Sequence, residues 1–229
     1  MDAVIKVGGS LATDATTLRA LCAELGKASD QYRLVVVPGG GEFADTVRAA
    51  DARFGLRQSI AHRMAVLGMD QYGLLLADLI PNCRVAISLG VVPGLSGSGR
   101  VVVLLPSRVV SRARSIEASW DVTSDSIAAY VAGRLGITKL ILVTNVDGVF
   151  TGDPKVDSGA KLLSDIAASS LNEANIRTSV DKRLAHALLK YGLTCFVVNG
   201  SHPQRIVQVL SGVETVCTRI SPERGEGQS

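Results

Sequence analysis

The sequence predicts an α/β fold, a three-layer αβα sandwich built around an open and mainly parallel sheet. Short apolar strands alternate with amphipathic helices along most of the 229 residues. The hydrophobic content is 47% while aromatic residues make up only 4%, which predicts a core of Val, Leu, Ile and Ala. Strands that are buried on both faces of a sheet have this aliphatic character. The length suits either one α/β domain with a sizeable core or two closely fused lobes.

The apolar periodicity gives the order of the elements. Strands are predicted where a short apolar run lies between turn signals, at 4–7, 34–37, 85–89, 101–105, 139–143 and 195–198. Helices are predicted where apolar residues recur at helical spacing, at 16–28, 42–53, 59–78, 124–135, 185–191 and 204–210. The polar residues 221–229 lack any period, so we expect a flexible tail there.

Charge, hydropathy and cysteine spacing argue against several classes of function. The net charge of +3 is spread along the chain, which does not favour nucleic-acid binding. The apolar runs are shorter than the roughly 18 residues of a membrane span, and no leader-like segment opens the chain. Cys22, Cys83, Cys195 and Cys217 lack CxxC spacing, which favours reduced thiols. We therefore expect a cytoplasmic protein that binds neither nucleic acid nor a membrane.

The first predicted strand ends in an unusual turn, within AVIKVGGSL at 3–11. Lys6 lies inside the apolar run, and Gly8, Gly9 and Ser10 follow it. Glycines let backbone N–H groups approach a phosphate closely, and the start of a helix favours an anion. By itself the motif is equally typical of an ordinary glycine turn beside an exposed lysine, and the Walker A pattern is absent.

A second glycine turn follows the second strand, in PGGGEFAD at 38–45. The consecutive glycines Gly39, Gly40 and Gly41 are costly unless the backbone takes unusual dihedrals or approaches a ligand closely. A plain tight turn is the alternative. Asp45 on the next helix is either a solvated surface acid or a substrate contact.

Polar residues also follow later strands. Asp125 lies in the first turn of a predicted helix, where it suits the helix dipole and where capping is its alternative role. After the strand that ends at Thr144, the pairs Asp147-Gly148 and Asp153-Pro154 mark turns that shape a pocket or, alternatively, a hairpin.

Together these features indicate phosphoryl transfer. This chemistry needs cations and N–H donors around the transferred group, and an acid that orients the cations. Lys6, Asp125 and the two glycine turns supply such a set. Lys182, at the start of a late helix, is the candidate second cation, although a solvent-facing lysine is the alternative.

The chain resembles the amino acid kinase family in five motifs that appear in family order: KVGGS, PGGGEFAD, TSDSIAAYVAGRLG, TNVDGVFTGDP and VDKRLAHAL. The resemblance implies a single kinase domain over residues 1–229. Within it, about 1–135 would bind the phosphate acceptor, a small molecule, and about 136–220 would bind ATP and Mg²⁺. It also implies a homo-oligomer.

The resemblance assigns roles to individual residues. Lys6 and Lys182 would stabilise the transferred phosphoryl group, and Asp125 would organise both lysines. Many relatives carry GGM shortly before the second lysine, where this chain has RTSVDK. The remaining contacts fall into three groups: phosphate oxygens at Gly8, Gly9 and Ser10, the acceptor at Gly39, Gly40 and Gly41, and the nucleotide at Thr144, Asp147, Phe150, Asp153 and Pro154. No protein ligand for a metal is predicted.

The second turn also bears on the acceptor. Isopentenyl phosphate kinases carry GGGSFGH, whose histidine contacts the substrate phosphate, whereas this chain places Asp45 there. A carboxylate repels a phosphate but can pair with an ammonium group. The helix at 61–78 is similar to that of the branch that phosphorylates [5-(aminomethyl)furan-3-yl]methyl phosphate in methanofuran-type cofactor synthesis.

This acceptor carries both an ammonium and a phosphate. Asp45 or Asp70 could bind the amine, and Arg63 could bind the phosphate bidentately. Asp70 lies in an apolar helix and needs a partner if buried, whereas His62 is expected at the surface or at an interface. Other acceptors (uridylate, isopentenyl phosphate, an amino-acid carboxylate) and a nucleotide-binding protein without turnover are the alternatives.

Overall fold

The computed structural model describes residues 1–113, 115–152, 156–157, 159–172, 180–181 and 183–222. The helices and strands are, in chain order, β1 (Ala3–Val7), α1 (Ala15–Ala28), β2 (Leu34–Pro38), α2 (Gly41–Phe54), α3 (Gln58–Leu79), β3 (Arg84–Ala86), α4 (Val92–Leu95), β4 (Val101–Leu104), α5 (Ser107–Arg112), α6 (Ser124–Leu135), β5 (Lys139–Thr144), β6 (Val149–Phe150), β7 (Leu162–Leu163), β8 (Asp165–Ala167), α7 (Leu184–Tyr191), β9 (Thr194–Asn199), α8 (Gln204–Ser211) and β10 (Thr218–Ser221). Short 3₁₀ helices cover Gly9–Thr13, Leu89–Val91 and Ala168–Asn172.

One sheet of eight strands forms the centre, in the order β3-β4-β2-β1-β5-β9-β10-β8. The strands from β3 across to β9 are parallel, β10 runs antiparallel to β9, and β8 is parallel to β10. The chain continues from β1 to β2 on one side and reaches β5 on the other. The carboxyl ends of these three strands therefore lie side by side, which is where open parallel sheets bind ligands.

Two hydrophobic clusters cover the two faces of the sheet. Val4 and Val35 pack with α6 and α7 on one face, whereas Ile5 and Val36 pack with α1 and α8 on the other. Successive side chains of a strand alternate between faces, so Lys6 lies on the same face as Val4. The helices on both faces confirm the predicted three-layer αβα sandwich with its mainly parallel sheet.

Most predicted elements lie within a few residues of the observed ones, and the differences have physical reasons. The strand predicted at 85–89 ends at Ala86, because its partner β4 ends at Leu104, opposite Ala86. Helix α5 and strands β6, β7, β8 and β10 were not predicted, since they are too short to show a period. The predicted tail begins too early, because Ser221 belongs to β10, and residues 223–229 lie outside the described residues.

Within the described ranges, no helix combines the length and the apolar character that crossing a membrane requires.

The two glycine turns contact each other backbone to backbone. A Cβ atom on Gly9 would lie 2.0 Å from the amide nitrogen of Gly41, and one on Gly39 would lie 2.5 Å from the nitrogen of Gly9. Gly41 also has a φ of +53°, which disfavours a side chain. The Gly39 amide donates to the Val7 carbonyl at 2.8 Å and fixes the second turn against the end of β1. Close approach of two backbones, rather than flexibility, therefore explains these glycines.

We predict that Gly9→Ala destabilises the protein, because the added methyl group would overlap the backbone of Gly41. The expected loss in the free energy of unfolding is about 1–3 kcal/mol, measured by urea denaturation. Gly94→Ala in α4 is the matched control, since a Cβ atom there has no neighbour within 4 Å. Equal stability of the two variants would contradict the close contact.

Candidate active site

A buried ion pair lies at the centre of the sheet. Lys6 Nζ is 2.8 Å from Asp125 Oδ1, and the two side chains are only 11% and 6% exposed. Lys6 reaches Asp125 because it projects from β1 toward the face that α6 covers. Removing two charges from water costs about as much as their attraction returns, so a buried pair is weak evidence for a purely stabilising role. The pair is therefore a candidate functional group.

Asp181 fixes the helix that carries Asp125. Its carboxylate accepts hydrogen bonds from the Thr123 amide at 3.1 Å, the Thr123 hydroxyl at 2.9 Å and the Ser126 amide at 2.9 Å, and also from the Ser126 hydroxyl. The Asp181 amide donates to Asp125 Oδ2 at 3.3 Å. Asp181 thus satisfies the exposed N–H groups at the start of α6 from a distant part of the chain. Sequence reasoning missed Asp181, because a cap from another segment leaves no local pattern.

The carboxylates of Asp125 and Asp181 therefore lie close together, and Lys6 is the one lysine among the described residues that pairs with them. The pKa of the Asp181 carboxyl is raised above its ordinary value of 3.8, first by burial and then by the negative charge of Asp125. Hydrogen bonds from Ser126 and Thr123 act in the opposite direction. Because the folded pKa is the higher one, the unfavourable contribution of Asp181 to stability diminishes as the pH falls from that raised value toward 3.8.

The first glycine turn lies directly beside the Lys6 ammonium. A Cβ atom on Gly8 would be 3.7 Å from Nζ of Lys6 and 2.9 Å from the Val143 carbonyl oxygen. Gly8 donates its amide to that carbonyl at 2.8 Å, and Ser10 follows within the 3₁₀ helix. A positive charge beside backbone without side chains fits a phosphate group. The structure thus brings Lys6, Asp125 and both glycine turns together.

A second polar network lies at the ends of β5 and β9. The carboxylate of Asp147 forms an ion pair with Arg205 at 2.5 Å and accepts from Asn199 at 3.2 Å. The hydrogen bond from Arg205 is the main reason why the pKa of Asp147 is lowered. Thr144 ends β5 and accepts from the Gly200 amide at 2.7 Å, and Phe150 lies half-buried in β6. The sequence did not single out Arg205 or Asn199, which join Asp147 only through the fold.

Three predicted residues, Lys182, Asp153 and Pro154, lie outside the described residues. Their roles stay predictions. Within the described ranges, no group of three or more His, Cys, Asp or Glu side chains is arranged to hold a metal ion.

The acidic candidates on the acceptor side have partners within the protein. Asp45 is 66% exposed and forms an ion pair with Arg48 at 2.5 Å, and the Arg48 guanidinium lies 5.2 Å from the centre of the Trp120 ring. Asp70 accepts from the Ser107 amide at 3.0 Å and from the Ser107 hydroxyl, which holds the start of α5. The partner that Asp70 was expected to need is therefore a neighbouring helix.

A narrow slot of about 60 Å³ extends from the second glycine turn between α2, α3 and the start of α6. Gly40, Ser124, Trp120 and His62 are among its lining residues. His62 is only 5% exposed, so the expectation of a surface histidine was wrong. Its position on the face of α3 that packs against α2 explains the burial. Burial also lowers its pKa.

Arg63 lies apart from the glycine turns. It lines a larger cavity of about 550 Å³ between α3 and α5, with Arg108 and Ser107. Neither Lys6 nor a glycine of either turn lines this cavity.

We predict that Asp181→Asn lowers the free energy of unfolding by about 1–3 kcal/mol, measured by urea denaturation. The amides of Thr123 and Ser126 donate to one carboxylate oxygen and the Arg183 amide donates to the other at 3.0 Å, so the NH₂ group of asparagine would face at least one amide donor. Asp165→Asn is the control, since the one ion pair of Asp165 among the described residues is an exposed contact with Arg219 at 3.4 Å, and the change in stability should be less than about 0.5 kcal/mol. An equally small effect at Asp181 would contradict its capping role.

Comparisons with known proteins show the family to which this chain belongs. Residues 1–199 match the model of the amino acid kinase family. The [5-(aminomethyl)furan-3-yl]methyl phosphate kinase of Methanocaldococcus jannaschii is 33% identical over 217 residues, which cover 95% of this chain and 96% of that protein. The uridylate kinase of Pyrococcus abyssi is 26% identical over 93% of this chain and 96% of its own length.

The fold is also found among solved structures. The crystal structure of the uridylate kinase from Archaeoglobus fulgidus superposes with a TM-score of 0.76 at 21% identity, over 96% of this chain and all of that one. With the family match across most of the chain and a full-length relative at 33% identity, this protein is a phosphotransferase of the amino acid kinase family.

Proposed function

We propose that this protein is an ATP-dependent kinase acting on [5-(aminomethyl)furan-3-yl]methyl phosphate, with the diphosphate as product, in methanofuran-type cofactor synthesis. The observation that carries the kinase chemistry is the buried Lys6–Asp125 pair beside two contacting glycine turns. The acceptor is supported by the relative of that name at 33% identity, against 26% for a uridylate kinase of similar coverage.

In the proposed reaction an oxygen of the acceptor phosphate attacks the γ-phosphorus of ATP. The bond from that phosphorus to the β,γ-bridging oxygen breaks, and ADP leaves with the bond's electron pair. The transition state carries negative charge on the oxygens of the transferred group. Lys6 stabilises that charge, and Asp125 holds the Lys6 ammonium beside Gly8. An acceptor phosphate is already ionised, so the reaction requires no general base.

ATP would occupy the carboxyl ends of β5 and β9. Thr144, Asp147 and Phe150 are the described candidates for nucleotide contacts, and Asp147 is held in place by Arg205. Mg²⁺ would be bound mainly by the phosphates and would neutralise part of their charge. Lys182 is the proposed second cation. The division into an acceptor part (1–135) and a nucleotide part (136–220) of a single domain belongs to the same proposal, and self-association and a cytoplasmic location stay predictions.

Asp45 is the better of the two candidates for binding the amine. Its carboxylate is exposed, and among the described residues its ion-pair partner is Arg48, which is itself 54% exposed. Both oxygens of Asp70 already accept hydrogen bonds from Ser107. An ammonium group at Asp45 would also lie near Trp120, whose ring attracts cations.

Uridylate is the second candidate acceptor. It is favoured by the similarity to uridylate kinases, one of which shares the fold across nearly the whole chain.

An assay with several acceptors tests the proposal. The protein is incubated with ATP-Mg and, separately, with the aminomethylfuran phosphate, uridylate and isopentenyl phosphate. ADP release is followed by a coupled assay, and the product diphosphate by phosphorus NMR. We expect kcat/KM for the furan to exceed that for uridylate by at least about 100-fold. ADP release with uridylate alone would refute the proposed acceptor and retain the kinase.

We predict that Lys6→Met lowers kcat by about 100- to 1,000-fold, because the ammonium that stabilises the transferred group is lost. Methionine keeps the aliphatic stem, and the melting temperature is measured in parallel, since an unpaired Asp125 also affects folding. Lys27→Met is the control, because the Lys27 side chain is 76% exposed and pairs only with Glu24. Near-normal turnover of folded Lys6→Met would remove Lys6 from the catalytic role.

A further inference from the structure

The cavity between α3 and α5 lies outside the phosphoryl-transfer site. Its volume is about 550 Å³, roughly nine times that of the slot at Gly40. The polar side chains in its wall come from both helices: Ser59, His62, Arg63, Ser107, Arg108 and Ser111. A cavity of this size admits a small metabolite.

The charged residues that line this cavity, within the described part of the chain, are both positive. They are Arg63 and Arg108, and no Asp or Glu is among the described lining residues. Neither guanidinium forms an ion pair with any carboxylate of the described residues. The described acid closest in sequence, Asp70, is engaged by Ser107. Two unpaired guanidiniums in one concave wall create a local positive potential that favours an anion.

His62 adds a second, independent observation. It is 5% exposed, and its Nε2 atom has no hydrogen-bond partner among the described residues. An imidazole nitrogen buried without a partner is costly, so a ligand is expected to satisfy it. His62 lines both the cavity and the slot that opens at Gly40. Burial lowers the pKa of His62, which favours the uncharged ring.

We propose that this cavity is an oxyanion-binding site for a phosphate or carboxylate group, formed by Arg63, Arg108 and His62. A guanidinium matches two oxygens of such a group, and the neutral imidazole donates a hydrogen bond from Nε2. The site extends the predicted phosphate contact of Arg63 and goes beyond the proposed transfer reaction, whose reacting groups meet at Lys6. Because the single phosphate of the proposed acceptor reacts at Lys6, the oxyanion in this cavity belongs to a separate small molecule that binds beside the acceptor.

The test uses inorganic phosphate and the side-chain NMR signals of isotope-labelled histidine. The chain has three histidines, so the His62 signal is identified by its loss in His62→Gln. We expect phosphate to shift this signal saturably in the wild type. Arg63→Gln and Arg108→Gln should each weaken the affinity about tenfold, the loss expected for one charged hydrogen-bonding partner.

Arg112→Gln is the matched control, because Arg112 lies on the same helix as Arg108 but does not line the cavity. It should bind phosphate as the wild type does. The absence of a shift, or unchanged affinity in Arg108→Gln, would overturn the proposal. Unchanged affinity in Arg108→Gln would also show that the shift of the His62 signal is transmitted from phosphate bound at Lys6.

A competition arm distinguishes a separate anion site from the acceptor site. If phosphate still binds with saturating acceptor present, the cavity takes a separate anion, as proposed. If the acceptor prevents the phosphate-induced shift, the phosphate was bound in the acceptor site and the proposal is overturned. The measurement needs no turnover, so the two proposals fail independently. The proposed acceptor can fail in the kinase assay while the oxyanion site stands, and the oxyanion site can fail while the acceptor is confirmed by the kinase assay.

Discussion

The buried ion pair between Lys6 and Asp125 is the interaction on which the rest of this structure depends. It exists only because β1 is central in the sheet and turns Lys6 toward the face covered by α6. The start of α6 is in turn held by Asp181, which comes from the segment before α7. Three distant parts of the chain thus converge on one ammonium group. That convergence suits a protein that must orient a cation toward phosphate oxygens.

The two glycine turns lie beside this ion pair and pack against each other without side chains between them. Because Gly9 and Gly41 meet backbone to backbone, the carboxyl ends of β1 and β2 lie as close together as two chains can. The Lys6 ammonium lies 3.7 Å from where a Cβ atom on Gly8 would be, and Gly40 of the second turn lines the slot. Fold stability and access for a phosphate therefore rest on the same glycines, so their substitution affects both.

On the proposed acceptor side, formed by α2, α3 and α5, the candidate acidic side chains already have partners within the protein. Asp45 is balanced by Arg48 and Asp70 holds α5, whereas Arg63 and Arg108 line a cavity without a carboxylate. Differences in pairing, rather than in residue type, thus separate structural charges from candidate ligand contacts. The buried nitrogen of His62 stands at the boundary between the slot and this cavity.

The sequence by itself determined the α/β class, the order of the long strands and helices, and the clustering of Lys6, Asp125 and the glycine turns. These follow from periodicity and from residue types that are unusual in their local context. Only the tertiary structure decided that Asp181 caps α6, that Ser107 engages Asp70, that Arg205 holds Asp147 and that His62 is buried. The partners are 37 residues apart for Asp70 and 58 apart for Thr123–Asp181 and for Asp147. Contacts over such separations leave no periodic signal, because they are set by how the layers pack.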